Sequence, residues 1–421
     1  MKPYITLFLL LANYLSFSQD KGDFVYEDKI YDDYFRTVQL YPEVSVRNSS
    51  NYTSDVISLK GSIPLVLEFD ELYADAYSYK VKIIHCNSDW SPSGLSPLQY
   101  LADYNEYDIN DLEYSFGTIT PYVHYKFKVP KPTISGNYLL VVYAGSDLDD
   151  VVITKRFMVY EQRVTFPPKN DIINSSPHAV DKQHLHFNID YSSTELLNPM
   201  ERVNVTIRQN QRWDNAKINI KPTYVKELQN VLQYSHYSDK TAFLAGNEFR
   251  YFDIRSLKYF GFHIEKVKFG KDRVLANVET DKPRAGLAYS IERNMKGQYR
   301  IENLERKIAR IENDYAMVNF SLESEELGDN VYVSGKFTNW IKNGTTRLKY
   351  NPATNRYEGA YLLKQGIYDY QYVVDSKKRE NDIEGNKRET KNTYDILVYY
   401  FSQELNADLL IGYYTFIYNS Y

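Results

Sequence analysis

The chain has 421 residues, enough for about two to four domains at the usual ~100–200 residues each. Its 50 Lys and Arg are interspersed with 55 Asp and Glu and form no basic stripe, so nucleic acid is not expected as a partner. One cysteine excludes an internal disulfide and a four-cysteine metal site, which leaves packed cores to hold the molecule together.

The first element, MKPYITLFLLLANYLSFSQD, combines Lys2, an apolar stretch from Tyr4 to Phe17, and small residues at Ser16 and Ser18. It reads as a secretory signal peptide over 1–18, cleaved near Ser18 or Gln19. The run is shorter than the ~20 residues a spanning helix needs, and Asp20, Lys21 and Asp23 follow at once. The mature chain is therefore expected to be exported and to lack a membrane-spanning segment. Its composition is 15% aromatic with 42 Tyr, which favours strands and an adhesive surface.

Residues 39–161 contain short strand candidates parted by Pro, Gly, Asn and Asp: QLYPEVSV, LVLEFDEL, YSYKVKIIHC, HYKFKVP, GNYLLVVYAG and VVITKRFMVY. In YSYKVKII, Tyr77, Tyr79, Val81 and Ile83 share one face against Ser78, Lys80 and Lys82, as in a half-buried strand. Pro167-Pro168 and the polar run to Ser176 mark a boundary, and strands follow at HLHFNIDY, RVNVTIRQN, KINIKPTYV, FRYFDIRSL and HIEKVKFG. AYSIERNMKGQYRIEN looks like a hairpin turning at Lys296-Gly297, and LERKIARIEN like a short helix. A third set runs from DYAMVNFSLES through NVYVSGKFTNW, RYEGAYLL, GIYDYQYVVD and TYDILVYYF to LLIGYYTFIYNSY. DSKKRENDIEGNKRETK reads as a solvated loop. The expectation is an all-β chain of three consecutive immunoglobulin-like or early-set β-sandwich domains, at 19–162, 163–312 and 313–421.

Candidate chemistry is sparse. IIHCNSDWSPS brings His85, Cys86, Asp89 and Trp90 together. A Cys–His dyad needs both side chains at hydrogen-bond reach, whereas neighbours on a strand point to opposite faces, and His85 to Asp89 matches no zinc spacing. The stretch reads as structural, with Asp89 capping a turn. His184 and His186 share a strand face, but only His178 is near as a third ligand. The pairs Glu325-Glu326 and Asp149-Asp150 sit in turn-like contexts without the contrasting environments acid–base work requires. No catalytic, cofactor or metal site is expected.

The combination LVLEFDEL, YSYKVKIIHCNSDWSPSGLSPLQYL, HYKFKVP, SGNYLLVVY and KRFMVYE, followed by NEFRYFDIRSL, resembles the Bacteroidetes family of type IX secretion system plug proteins. The resemblance runs from about Leu40 to the C-terminus and is most specific at His85-Cys86-Asp89-Trp90 and at Asn247 to Leu257. It implies a periplasmic, non-enzymatic, cofactor-free protein at the inner side of the outer membrane. Such a protein closes the periplasmic mouth of a large SprA-type translocon β-barrel when no substrate carrier occupies it. A monomer in solution is expected. SGKFTNW with GIYDYQYVVD is similar to early-set domains that bind glycogen. Trp340 matches their first sugar-stacking tryptophan, Asp375-Ser376-Lys377-Lys378 lacks the second, and Gln371 replaces a lysine. The runner-up reading is thus a periplasmic carbohydrate-binding protein using Trp340.

Overall fold

The protein is described from a computed structural model over residues 24–43, 54–145, 148–168, 172–174, 182–236, 239–292 and 294–418. The signal peptide reading at 1–18 and His178 lie outside these residues. The molecule is all-β: among the described residues the helices are single turns, Pro199–Arg202 and Ala309–Glu312, beside short 3-10 segments. No described helix is long and apolar enough to cross a membrane.

The N-terminal unit is a sandwich. A sheet of Phe35–Pro42, Leu65–Glu71, Val123–Lys128 and Asp111–Tyr114 faces a larger one built on Val151–Tyr160, Gly136–Ala144 and Tyr79–Cys86. Leu65, Leu67, Phe69, Tyr125 and Phe127 of the first sheet meet Tyr79, Val81, Ile83, Tyr138, Leu140 and Phe157 of the second. The alternation in YSYKVKII thus locates the core face, except that Tyr77 lies before the strand and is exposed. NYLLVVY has no such alternation because both faces of its strand are covered: Tyr138, Leu140 and Val142 point into the sandwich, while Leu139 and Val141 point into a second apolar layer.

That second layer belongs to the middle unit, and here the consecutive division needs correction. Val203–Gln209 pairs antiparallel with Thr393–Ser402, which pairs with Ala407–Ile417, so the last two strands complete the middle unit. Conversely, Arg250–Asp253, Ile264–Phe269, Val274–Val278 and Tyr299–Ile301 join the sheet of Tyr315–Glu323, Val331–Ser334, Arg347–Asn351, Arg356–Lys364 and Gly366–Val374. Their cores agree with this pairing: one joins Val203, Val205 and Ile207 to Tyr394, Ile396 and Val398, and another joins Phe252 and Ile254 to Phe320 and Tyr370. The boundary expected at 312/313 therefore cuts through one sheet. The third unit is an insertion in the middle one, entered after Leu244 and left before Thr393.

Two local expectations also change. Among the described residues of AYSIERNMKGQYRIEN only Tyr299–Ile301 is a strand, and it pairs antiparallel with Gly366–Tyr368 rather than with a local partner. The charged segment 375–391 is not simply solvated: Ile383, Glu384 and Thr390 are buried, because it carries the chain from the inserted sheet back to the middle one.

The aromatic excess is largely internal. The bulkiest fully buried side chains are Arg208 and tyrosines, among them Tyr122, Tyr138, Tyr315, Tyr370 and Tyr399. The hydroxyls of these five find acceptors, as where Tyr370 donates to Asp281 (2.7 Å), which also accepts from Tyr372 (2.8 Å).

Candidate functional site

His85 and Cys86 end the strand Tyr79–Cys86 and face opposite ways. His85 lies inside the N-terminal core beside Tyr100 and Tyr138, and burial pulls its pKa down to about 4, so the ring is neutral near pH 7. Its space depends on Gly136, where a Cβ would stand 2.3 Å from His85 Nε2. Cys86 points the other way, into the layer formed with Trp90, Leu139, Met158, Leu397, Tyr399 and Leu410, and burial pushes its thiol up to about 12. A buried neutral thiol with its neighbouring histidine on the far side of the strand has no nucleophile geometry.

The turn that follows orients Trp90. Asp89 Oδ1 accepts from Ser91 N (2.9 Å), Trp90 N donates to Asn87 O (3.0 Å), and Trp90 takes a positive φ of 70°. Its ring meets Trp213 of the middle unit edge-on at 5.0 Å. The Arg156 guanidinium lies over Trp90 at 4.5 Å, and that of Arg208 over Trp213 at 4.8 Å. The motif thus sits in a joint between two units rather than at a free corner.

Charge completes this joint. Arg208, fully buried, donates to both oxygens of Asp55 (2.8 and 3.0 Å) and to Asp395 (2.9 Å). Ser88 N and Oγ both donate to Asp408 Oδ2 (3.0 and 2.7 Å), and Tyr399 donates to Asn137 (2.8 Å). Lys155 then links outward to Asp28 (2.7 Å) and to Asn339 of the inserted unit (3.3 Å).

A second joint ties the N-terminal unit to the inserted one. Asp70 accepts from Lys364 Nζ (2.6 Å), Tyr315 Oη (2.6 Å) and His124 Nδ1 (2.7 Å). Burial alone would raise the Asp70 pKa, but Lys364 and His124 hold it below the ordinary carboxylate value. Nearby, Asp314 accepts the Ile119 and Thr120 amides (2.7 and 3.1 Å).

The segment Asn247 to Leu257 fastens the inserted unit to the segment that leaves it. Asn247 donates to Glu384 O (2.9 Å), and Arg250 bridges Glu384 and Asp281 (3.0 and 2.6 Å). Glu248 accepts from Tyr289, Asn294, Lys296 and the Lys391 amide. The charges that fasten these joints are not marked as such in the sequence. The available signal was Arg208 in RVNVTIRQN, a cation on the non-core face of a strand, whose covering cannot be read locally.

Trp340 is 8% exposed. Arg212 of the middle unit lies 4.2 Å over its ring, Phe249 packs edge-on at 5.9 Å, and a Cβ on Gly297 would come within 2.3 Å of it. A sugar has no free face to stack on. Gln371, half-buried, pairs in the sheet with Ser334. His186 contacts His236 O (3.0 Å), and among the described residues no three His, Cys, Asp or Glu side chains converge on a metal-sized site. Asp150, Glu325 and Glu326 are exposed.

Comparison with known proteins accords with this architecture. Residues 35–161 match the model of the type 9 secretion system plug protein 1st domain. Residues 318–398 match that of the glycogen recognition site of AMP-activated protein kinase, a match that runs on into strand Thr393–Ser402 of the middle unit. No curated protein matches. A crystal structure of a hypothetical protein from Parabacteroides merdae ATCC 43184 is similar over 94% of this chain and 100% of its own, at 29% identity and a TM-score of 0.84. The fold is thus shared by a second chain along its whole length, and residues 35–161 of this one are similar to the first domain of type 9 secretion system plug proteins.

Proposed function

We propose that this protein is a periplasmic plug of the type IX secretion system that seals the periplasmic opening of an SprA-type outer-membrane translocon when no substrate carrier is bound. The match over residues 35–161 carries the reading. The joints support it: closing a wide mouth needs a broad body that does not flex, and three units cross-linked through buried ion pairs and tryptophans form one. Both matched families are non-catalytic modules, and we read the protein as no enzyme, with His85, Cys86, Asp89 and Trp90 structural: Cys86 and Trp90 in the first joint, Asp89 in the turn that orients Trp90, and His85 in the N-terminal core.

Purification of the tagged protein from envelopes tests this. The expected result is a large outer-membrane barrel protein recovered in roughly stoichiometric amount, and deletion of the plug should make the outer membrane leaky. Recovery of the protein without any such barrel would refute the proposal. The match over 318–398 favours carbohydrate binding as a second reading, but the covered Trp340 ring opposes sugar stacking at that position.

A further inference from the structure

One face of the molecule exposes large apolar side chains on loops that are rigidly held. Three segments contribute: 114–117 of the N-terminal unit, and 255–262 and 303–308 of the inserted unit. Tyr259, Phe260 and Phe262 are 76, 57 and 66% exposed, Phe116 71% and Leu304 64%. The backbones beneath them are tied together. Arg306 donates to the carbonyls of Phe116 and Gly117 (3.2 and 2.9 Å), Phe116 N to Ile311 O (2.9 Å), Leu304 N to Arg255 O (3.3 Å), and Tyr259 N to Ser256 Oγ (2.9 Å). Loops so fixed have little ordering entropy left to lose when the face is covered.

The aromatic segments and the strand that follows them also expose cations, with Glu305 the exposed carboxylate of segment 303–308. Lys258 and Lys307 are exposed and form no ion pair among the described residues. The strand that follows the aromatic loop, Ile264–Phe269, is the edge of its sheet, and its hairpin adds exposed Lys266, Lys268, Lys271 and Arg273. Residues 258–273, with Lys258 counted, hold 5 cations against Glu265 and Asp272, a net +3 (5 minus 2) in a chain of net −5.

Protein interfaces are enriched in aromatics but depleted in lysine. Aromatic side chains seated among uncompensated lysines are instead the chemistry of a surface that meets the headgroup region of a bilayer, rings at the acyl boundary and ammonium groups on the phosphates. We infer that this face, centred on Tyr259, Phe260 and Phe262, docks on an anionic phospholipid surface. Such contact goes beyond plugging: it would hold the protein against the membrane whether or not a translocon is engaged.

Co-sedimentation of the chain lacking residues 1–18 with phospholipid vesicles tests the inference. Binding to phosphatidylcholine vesicles containing phosphatidylglycerol is expected, with little binding to phosphatidylcholine alone and loss of binding as salt rises. The variant Y259S/F260S/F262S should bind at least about tenfold more weakly, and K258E/K307E similarly, with circular dichroism and urea midpoint unchanged because these side chains are exposed. Absence of binding to the anionic vesicles, or equal binding by the aromatic variant, would overturn it. So would a variant that binds vesicles normally but no longer captures a barrel protein from solubilised envelopes, since the face would then belong to a protein partner.

Discussion

Replacing Asp70 with asparagine would expose how much the joint between the N-terminal and inserted units contributes. Asp70 and Lys364 are each 1% exposed and 2.6 Å apart, and among the described residues the ammonium has only the Arg310 carbonyl (2.6 Å) as a further acceptor. The neutral amide of D70N could still accept from Lys364 and Tyr315, but it would leave a buried cation without its counter-charge. Breaking a buried pair in this way costs about 3–5 kcal/mol. Lys364→Met leaves the carboxylate with Tyr315 and His124 and should cost a comparable amount. The double variant D70L/K364M removes both charges, so it should fall short of the sum of the single losses by about 2 kcal/mol or more. Urea unfolding followed by tryptophan fluorescence suits the measurement, because Trp90, Trp213 and Trp340 all lie at joints between units. The pH dependence has a definite sign. The Asp70 pKa is depressed in the folded protein, so its stabilisation is present above the unfolded value near 4 and is lost as pH falls through the folded value. The gap between wild type and D70N should therefore close below about pH 4. A D70N loss under about 1 kcal/mol at pH 7, or strict additivity in the double variant, would refute the reasoning.

Cys86 should resist a maleimide or disulfide reagent in the native protein and react fully in denaturant, since it is buried and its thiol is pushed up to about 12; rapid native labelling would contradict the joint described above. Burial raises the Asp369 carboxyl to about 7 despite bonds from the Met295 and Gly297 amides, so its ionisation opposes folding increasingly between about pH 4 and 7. The stability of D369N relative to wild type should accordingly rise by about 2–4 kcal/mol from pH 4.5 to 8, and a pH-independent difference would argue against this. Trp340→Ala should cost about 3–5 kcal/mol by opening a void under Arg212 and beside Phe249. Titration of the wild type with an α-glucan oligosaccharide should leave tryptophan fluorescence flat; a saturable shift abolished in W340A would revive sugar binding at that ring.

Most strands were legible in the sequence because strand formation is a local property. Tyr79–Cys86 and Val203–Gln209 show their core faces as alternating apolar residues, and turns of Gly, Asn, Asp and Pro bound them. Pairing partners were not legible. The hydrogen bonds of Val203–Gln209 are made by Thr393–Ser402, nearly two hundred residues on, and nothing in either stretch names the other. The division at 312/313 failed for that reason, as did the hairpin expected over 288–303, where Tyr299–Ile301 found the edge of Gly366–Val374 instead.

The same distinction governs the candidate site. That His85 and Cys86 point apart follows from strand geometry, and residue spacing alone weakened any catalytic or metal reading of IIHCNSDWSPS. What covers each side chain could only be decided in three dimensions, because burial depends on residues distant in sequence. Trp90 finds Trp213 and Arg156, Trp340 finds Arg212, and Asp70 finds Lys364. Local chemistry thus determined an all-β chain with few reactive groups. The tertiary structure decided that its polar and aromatic residues act as joints, since a charge or an indole ring becomes structural only when another part of the chain removes it from water.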